Sequence, residues 1–260
     1  MLKTVLLFIL ALLPILILGY YTYSMDKEKE PKKVLIKLFV GGIGAVIITI
    51  ILSLLLQKLF PYFASDINGY SPFKLLLYTF IMVSFVEELS KFIVTYKLSY
   101  YNKEYDELYD MIVYSVFVAL GFAWIENLLY VFNGGVTIAI SRLLFAVPTH
   151  ASVAVFMGYY LSMAKLSDVN KNNKLKHKYI FLSLLIPIVF HGIYDYLVYS
   201  SNYILFIVFF IFTGFMFIMA HKKLKQMASM RTVLIPKYCP NCGTSVEKSH
   251  FCQNCGYRII

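Results

Sequence analysis

Glu87 and Glu88 stand side by side in Ser84-Phe85-Val86-Glu87-Glu88-Leu89-Ser90-Lys91-Phe92-Ile93-Val94, inside a run otherwise apolar enough to span a membrane. Each charge near a bilayer centre costs about 2.5–3.5 kcal/mol at the low end of the scale. Three together are retained when they pair, line a wet cavity or do chemistry. Glu87 and Glu88 precede Lys91 by four and three residues, so each shares a helix face with the ammonium and can pair with it. A desolvated carboxylate is also a general base for water. Adjacent helical residues point about 100° apart, so one glutamate of the two faces a site squarely and the other pairs elsewhere. The spacing favours Glu87 as the partner of Lys91 and Glu88 as the base.

More ionisable groups follow in the next three apolar runs: Glu126 with Asn127, His150 after Pro148, and His191 with Asp195. His191 and Asp195 are one turn apart, a spacing at which a carboxylate holds an imidazole's tautomer. Pro148 and Pro187 free backbone carbonyls near the histidines, which hydrocarbon tolerates beside a cavity or a protein partner. Gly121, Gly158 and Gly192 suit close helix approach. Taken singly, the glutamate–lysine set reads as a structural ion pair, His150 as a hydrogen-bonded core histidine, and His191–Asp195 as an interhelical clamp or proton relay. Together they are a large accumulated cost for residues without a shared purpose.

The elements that position these groups are helices. The chain has 260 residues, 60% hydrophobic and 15% charged, with a mean hydropathy of +0.71. Seven apolar runs lie near residues 2–23, 34–57, 73–96, 110–132, 138–164, 178–200 and 203–221, each about the 20 residues needed to cross hydrocarbon. An all-α polytopic bundle follows, because short connections leave no other way to satisfy the backbone in lipid. The first run has one lysine and no small-residue cleavage site, and reads as an uncleaved span. Of 24 basic residues, 19 fall in the first, third and fifth loops and the tail; Lys3, Lys58, Lys74 and Arg142 fall on the other side, and Lys91 lies within a span. This alternation predicts a multi-pass cell-membrane protein with its N-terminus outside and its C-terminus in the cytosol. It also explains the net charge of +10 as a topology signal, so no nucleic-acid partner is expected. The 22 tyrosines and 22 phenylalanines suit interfacial belts and packing. At about 1.5 Å per residue, Glu87 and His150 lie about 20 and 18 Å from the outer face, and His191 and Glu126 about 18 and 24 Å from the inner face. On this count Glu126 lies nearer the outer leaflet than the others, a gap that helix tilt and shifted span ends would close.

The ordered set Glu87-Glu88-x-x-Lys91, Phe122-x-x-x-Glu126, His150 and His191-x-x-x-Asp195, over residues 73–200, resembles the PrsW-type intramembrane proteases, within the broader CaaX- and bacteriocin-processing group. The resemblance implies peptide-bond hydrolysis in the membrane, with membrane proteins such as anti-sigma factors as substrates. It makes Glu87 and Glu88 the water-activating carboxylates, Glu126 and His150 their partners, and His191 with Asp195 a further pair. Two chemistries remain open. In one, His150, His191 and a carboxylate bind a catalytic Zn²⁺, although no HExxH is present. In the other, which is slightly favoured, glutamate activates water without metal and a histidine or Asn127 stabilises the oxyanion.

All four cysteines lie in the last 22 residues, as Cys239-x-x-Cys242-Gly243 and Cys252-x-x-Cys255-Gly256. Two knuckles on a cytosolic side predict a structural Zn²⁺ with no open position, and disulfides are disfavoured there. The tail resembles a minimal zinc ribbon. The expected organisation is a membrane domain over 1–221, a basic linker over 222–236 that also meets lipid headgroups, and a ribbon over 237–260 that docks a cytosolic protein. His250 reads as a surface residue. Two other classes compete with the protease: a non-catalytic scaffold or sensor signalling through the ribbon, and an ion-coupled transporter. The scaffold tolerates Glu87→Gln and Glu88→Gln. The transporter would show repeated halves, which are absent.

Overall fold

The computed structural model describes residues 2–63, 67–200, 202–230, 234, 238, 239, 241–246 and 251–257. Its helices are α1 Leu2–Met25, α2 Lys32–Leu59, α3 Pro72–Leu77, α4 Phe85–Ser99, α5 Asp110–Ser141, α6 Val147–Val169, α7 Asn173–Tyr199 and α8 Tyr203–Ser229. Tyr78–Ser84 joins α3 to α4 as a π-helix, and Arg142–Ala146 joins α5 to α6 in the same way. No strand occurs among the described residues. Five helical stretches are long and apolar enough to cross a membrane. One of them, Asp110–Val169, is broken at Gly135, whose φ of +74° lies in the region that favours glycine. The α3–π–α4 run falls outside these five; it carries Glu87, Glu88, Lys91 and Lys97.

The apolar stripes decide the packing. α5 is buried along most of its first half and forms the axis of the bundle, with α1, α2 and α6 packed around it. Two close approaches require glycine. A Cβ on Gly121 would lie 2.0 Å from the Phe39 carbonyl oxygen of α2, and one on Gly158 would lie 2.6 Å from Ile112 Cα. Where α5 passes Gly158 of α6, Ser115 donates to the Ala154 carbonyl at 3.0 Å, tying α5 to α6. The outer faces carry Ile204, Ile207, Ile211 and Phe215, all more than half exposed, as suits lipid contact.

The π-segments correct the depth count. A π-helix closes i→i+5 rings and advances less per residue than an α-helix. Glu87 and His150 were both counted from the outer face through such a segment, so both lie shallower than the α-helical rise implies. That moves them toward Glu126. Pro148 lies in the first turn of α6, directly after the π-segment, where a missing N–H is best tolerated.

At the C-terminal end α8 runs on to Ser229, so the first residues of the expected linker are helical. Residues 231–233 and 235–237, and His250, lie outside the described residues.

Candidate active site

α4, α5, α6 and α7 bring Glu87, Glu88, Glu126, His150, His191 and Asp195 into one buried network. Lys91 Nζ donates to Glu88 Oε1 at 2.5 Å and to His150 Nδ1 at 3.2 Å. It also lies 4.6 Å from the centre of the Phe122 ring, a cation–π contact that gives the aromatic residue of the Phe122-x-x-x-Glu126 pattern its place. Because His150 Nδ1 accepts from the ammonium, its proton sits on Nε2 and is donated to Glu126 Oε2 at 2.7 Å. His191 Nδ1 donates to Glu88 Oε1 at 2.7 Å, and its Nε2 is 3.3 Å from Asp195 Oδ2. The two imidazoles meet edge to face, with centroids 5.3 Å apart.

The close contact with Lys91 expected of Glu87 falls on Glu88 instead. Glu88, 1% exposed, is the tight partner of both Lys91 and His191. Glu87 Oε2 is 3.5 Å from Lys91 and 3.9 Å from His191 and accepts no hydrogen bond. The i,i+4 spacing allowed either pairing; the position of His191 on α7 selects Glu88.

Asn127 is also displaced from its expected role. Its Nδ2 donates to the Ala11 carbonyl of α1 at 2.8 Å and its Oδ1 accepts from Arg142 Nε at 2.8 Å, so both polar ends are committed. Arg142 itself is a site residue that sequence reasoning counted among the loops. It forms an ion pair with Glu126 at 3.0 Å and is 11% exposed. The signal available was its position eight residues before His150, inside an apolar run that continues to Val147.

A cavity of about 530 Å³ opens on this network. Glu87, Glu126, Arg142, His150, His191 and Asp195 form its polar wall, and Tyr130, Phe145, Tyr194, Phe206, Phe209 and Phe210 are among its apolar lining. Glu88 and Lys91 lie behind the wall. Four carboxylates face two fixed cations, Lys91 and Arg142, which leaves two negative charges for the imidazoles or a divalent ion to balance. A groove of similar volume, lined by Leu12, Leu16, Phe39 and Trp124 of α1, α2 and α5, is apolar and remote from this chemistry.

Residues 30–221 match the family described as "PrsW family intramembrane metalloprotease". The chain belongs to the PrsW family. It is 39% identical to Protease PrsW of Clostridioides difficile (strain 630) over 196 residues, covering 74% of this chain and 78% of that one. It is 33% identical to Protease PrsW of Bacillus subtilis (strain 168) over 191 residues, covering 73% and 81%. Protease PrsW of Shouchella clausii (strain KSM-K16) is 29% identical over 228 residues, covering 86% and 97%. No solved structure matches. The protein is an intramembrane protease of the PrsW family, and the network and cavity described above lie within the matched region.

The cysteines lie beyond that region. All four are free thiols, with one Sγ from each within 4.8 Å of the others. The knuckles repeat one geometry: Gly243 and Gly256 have φ near +70° and donate to the Cys239 and Cys252 carbonyls at 2.9 Å.

Proposed function

We propose that the chain is an endopeptidase that hydrolyses peptide bonds of membrane proteins with a water activated by Glu87. The observation that supports this most is the contrast within the pair: Glu87 lines the cavity with an oxygen that accepts no hydrogen bond, whereas both strong contacts of the pair fall on Glu88. Glu87 takes the proton of the attacking water. The carbonyl oxygen gains its charge beside Arg142 and two imidazoles, where low dielectric strengthens each interaction. His191, held between Glu88 and Asp195, is the proton donor for the leaving nitrogen and regains its proton from Glu87, 3.9 Å away, which restores both groups. Glu126 orients His150, and Lys91 fixes Glu88 and His150 together.

The family description carries a metal, and the residues fit one. Glu87, His150 and His191 offer donor atoms within 4.8 Å of one another, a two-histidine, one-carboxylate set of the kind zinc takes in hydrolases; as ligands, Glu87 would give up the role of base and His150 its contact with Lys91 or Glu126. Bound there, the ion would supply Lewis-acid polarisation and a more acidic water. The ribbon is the second fit: four Sγ atoms so close suit the roughly 3.8 Å edge of a tetrahedral Zn–S₄ centre, given a Zn–S bond of about 2.3 Å. The seven helical rods are seven crossings with the N-terminus outside, and the ribbon docks a cytosolic partner. Anti-sigma factors are the substrate class to try first.

Reconstituted wild type and Glu87→Gln protein, offered single-span substrates, test the assignment. Loss of product in the variant is expected, and equal product would sink it. Zinc stoichiometry before and after Cys239→Ser separates the metal sites: two ions falling to one assigns one to each site, one falling to none leaves the histidines metal-free, and unchanged content refutes the ribbon.

A further inference from the structure

A second group of buried carboxylates lies where the α1–α2 loop meets the start of α5. Asp26, Glu30 and Asp110 are 3%, 5% and 0% exposed, and one carboxylate oxygen from each lies within 4.8 Å of the others. Most of this corner is satisfied. Glu30 Oε2 accepts the Tyr114 hydroxyl at 2.5 Å, and Asp110 Oδ2 accepts the backbone N–H groups of Asp106 and Glu107 at 3.0 and 2.7 Å. Three oxygens are not: both of Asp26 and Oδ1 of Asp110 are shielded from solvent and accept no hydrogen bond. The backbone N–H groups of Lys27 and Glu30 approach Asp26 but fall short of hydrogen-bond geometry.

The nearest cation, Lys29, offsets only part of the charge of three carboxylates and donates to none of them. An ammonium has three protons, and Lys29 Nζ directs its contacts to the carbonyls of Tyr23, Ser24 and Asp26, closing the end of α1. Glu104 and Asp106 add negative field from the loop before α5. An uncompensated buried charge is far more costly than a paired one, so three buried carboxylates with three orphaned oxygens describe a place for a cation from solution.

We propose that Asp26, Glu30 and Asp110 bind one Ca²⁺ ion that fastens the α1–α2 loop to the first turn of α5. The donors are all hard oxygens, which select Ca²⁺, Mg²⁺ or Mn²⁺ over zinc. Three carboxylates gathered in one buried site suit calcium, which takes six to eight oxygens largely from protein, better than Mg²⁺, which keeps several waters and is held by one or two carboxylates. The site is separate from the proteolytic network: α5 carries Asp110 at its first position and Glu126 sixteen residues, about 24 Å, along the helix. The ion therefore anchors the helix that carries Glu126 from its far end.

Full-length protein in detergent, stripped with a calcium chelator, is dialysed against radioactive calcium, and its thermal unfolding is followed by intrinsic fluorescence. One Ca²⁺ per chain and a saturable rise in Tm are expected. Asp26→Asn, which removes a charge and no hydrogen bond, should weaken binding at least tenfold and abolish the rise. Wild type that binds no calcium overturns the site without recourse to a variant. Equal binding by Asp26→Asn overturns the ligand assignment, and a response to Mg²⁺ with none to Ca²⁺ overturns the choice of ion.

Discussion

Two sets of buried carboxylates in one bundle meet their electrostatic debt differently. In the proteolytic network, Glu87, Glu88, Glu126 and Asp195 are balanced from within by Lys91, Arg142 and two imidazoles carried on the same helices. At the loop-side corner, Asp26, Glu30 and Asp110 have a tyrosine hydroxyl and two backbone N–H groups, and the nearby Lys29 is engaged with carbonyls. Depth accounts for the difference. A group inside a span has to bring its own counter-charge, because water and ions reach it poorly. A group at the helix ends can draw one from solution. Burial without compensation has its usual effect there, pushing the Asp26 carboxyl up to about 6 and that of Glu30 up to about 7.

Mutations should therefore act in opposite senses on the two sets. The largest effect is expected at Glu87: Glu87→Gln should cut the cleavage rate of a reconstituted substrate by roughly 10²–10⁴-fold, the range for a lost general base, with little change in Tm. Next is Glu88→Gln, which leaves Lys91 buried without its closest partner. Removing one member of a buried pair costs about 3–5 kcal/mol, measurable as a lower denaturation midpoint in detergent. A Glu88→Gln protein as stable as wild type would break the comparison on the proteolytic side. At the other corner the same kind of change should help: in calcium-free buffer, Asp26→Asn relieves repulsion and should raise Tm by about 2–4 °C, as about 1 kcal/mol does in a chain of this size.

The smallest effect is on pH dependence. A carboxyl whose folded value is raised favours the folded state fully below its unfolded value, near 4, and loses that contribution as pH rises through the folded value. The folded values of about 6 for Asp26 and about 7 for Glu30 place the window between pH 4 and 7. Calcium-free protein should thus lose Tm as pH rises from 4 through 7, and saturating calcium should remove the loss. Parallel curves with and without calcium would count against a cation site at this corner.

Much of the candidate site is legible in the chain because buried charge is expensive: Glu87, Glu126, His150, His191 and Asp195 stand out against apolar runs, and they meet in one network. Arg142 escaped because a basic residue near a helix end reads equally as a topology signal, and its pairing with Glu126 depends on how α5 and α6 fold back on each other. Asn127 looked like a donor for chemistry, yet its partner is a carbonyl 116 residues away on α1. The cluster at Asp26 is invisible in sequence for the same reason. Its members span 84 residues and sit in segments where acidic side chains are ordinarily solvated.

The π-helical segment Tyr78–Ser84 bears on Glu87 in another way. A π-turn takes in one residue more than an α-turn, and one residue is about 100° of rotation. That is also the angle between neighbouring side chains. The segment therefore acts as a phase setting for all that follows it. Deleting a single residue between 78 and 83 would let the run rewind as α-helix and leave Glu87 facing the cavity, whereas rewinding it at full length would turn α4 by about one position and bring Val86 to the aspect that Glu87 now has. The identity of the residue facing the cavity is thus held by the winding of the helix before it.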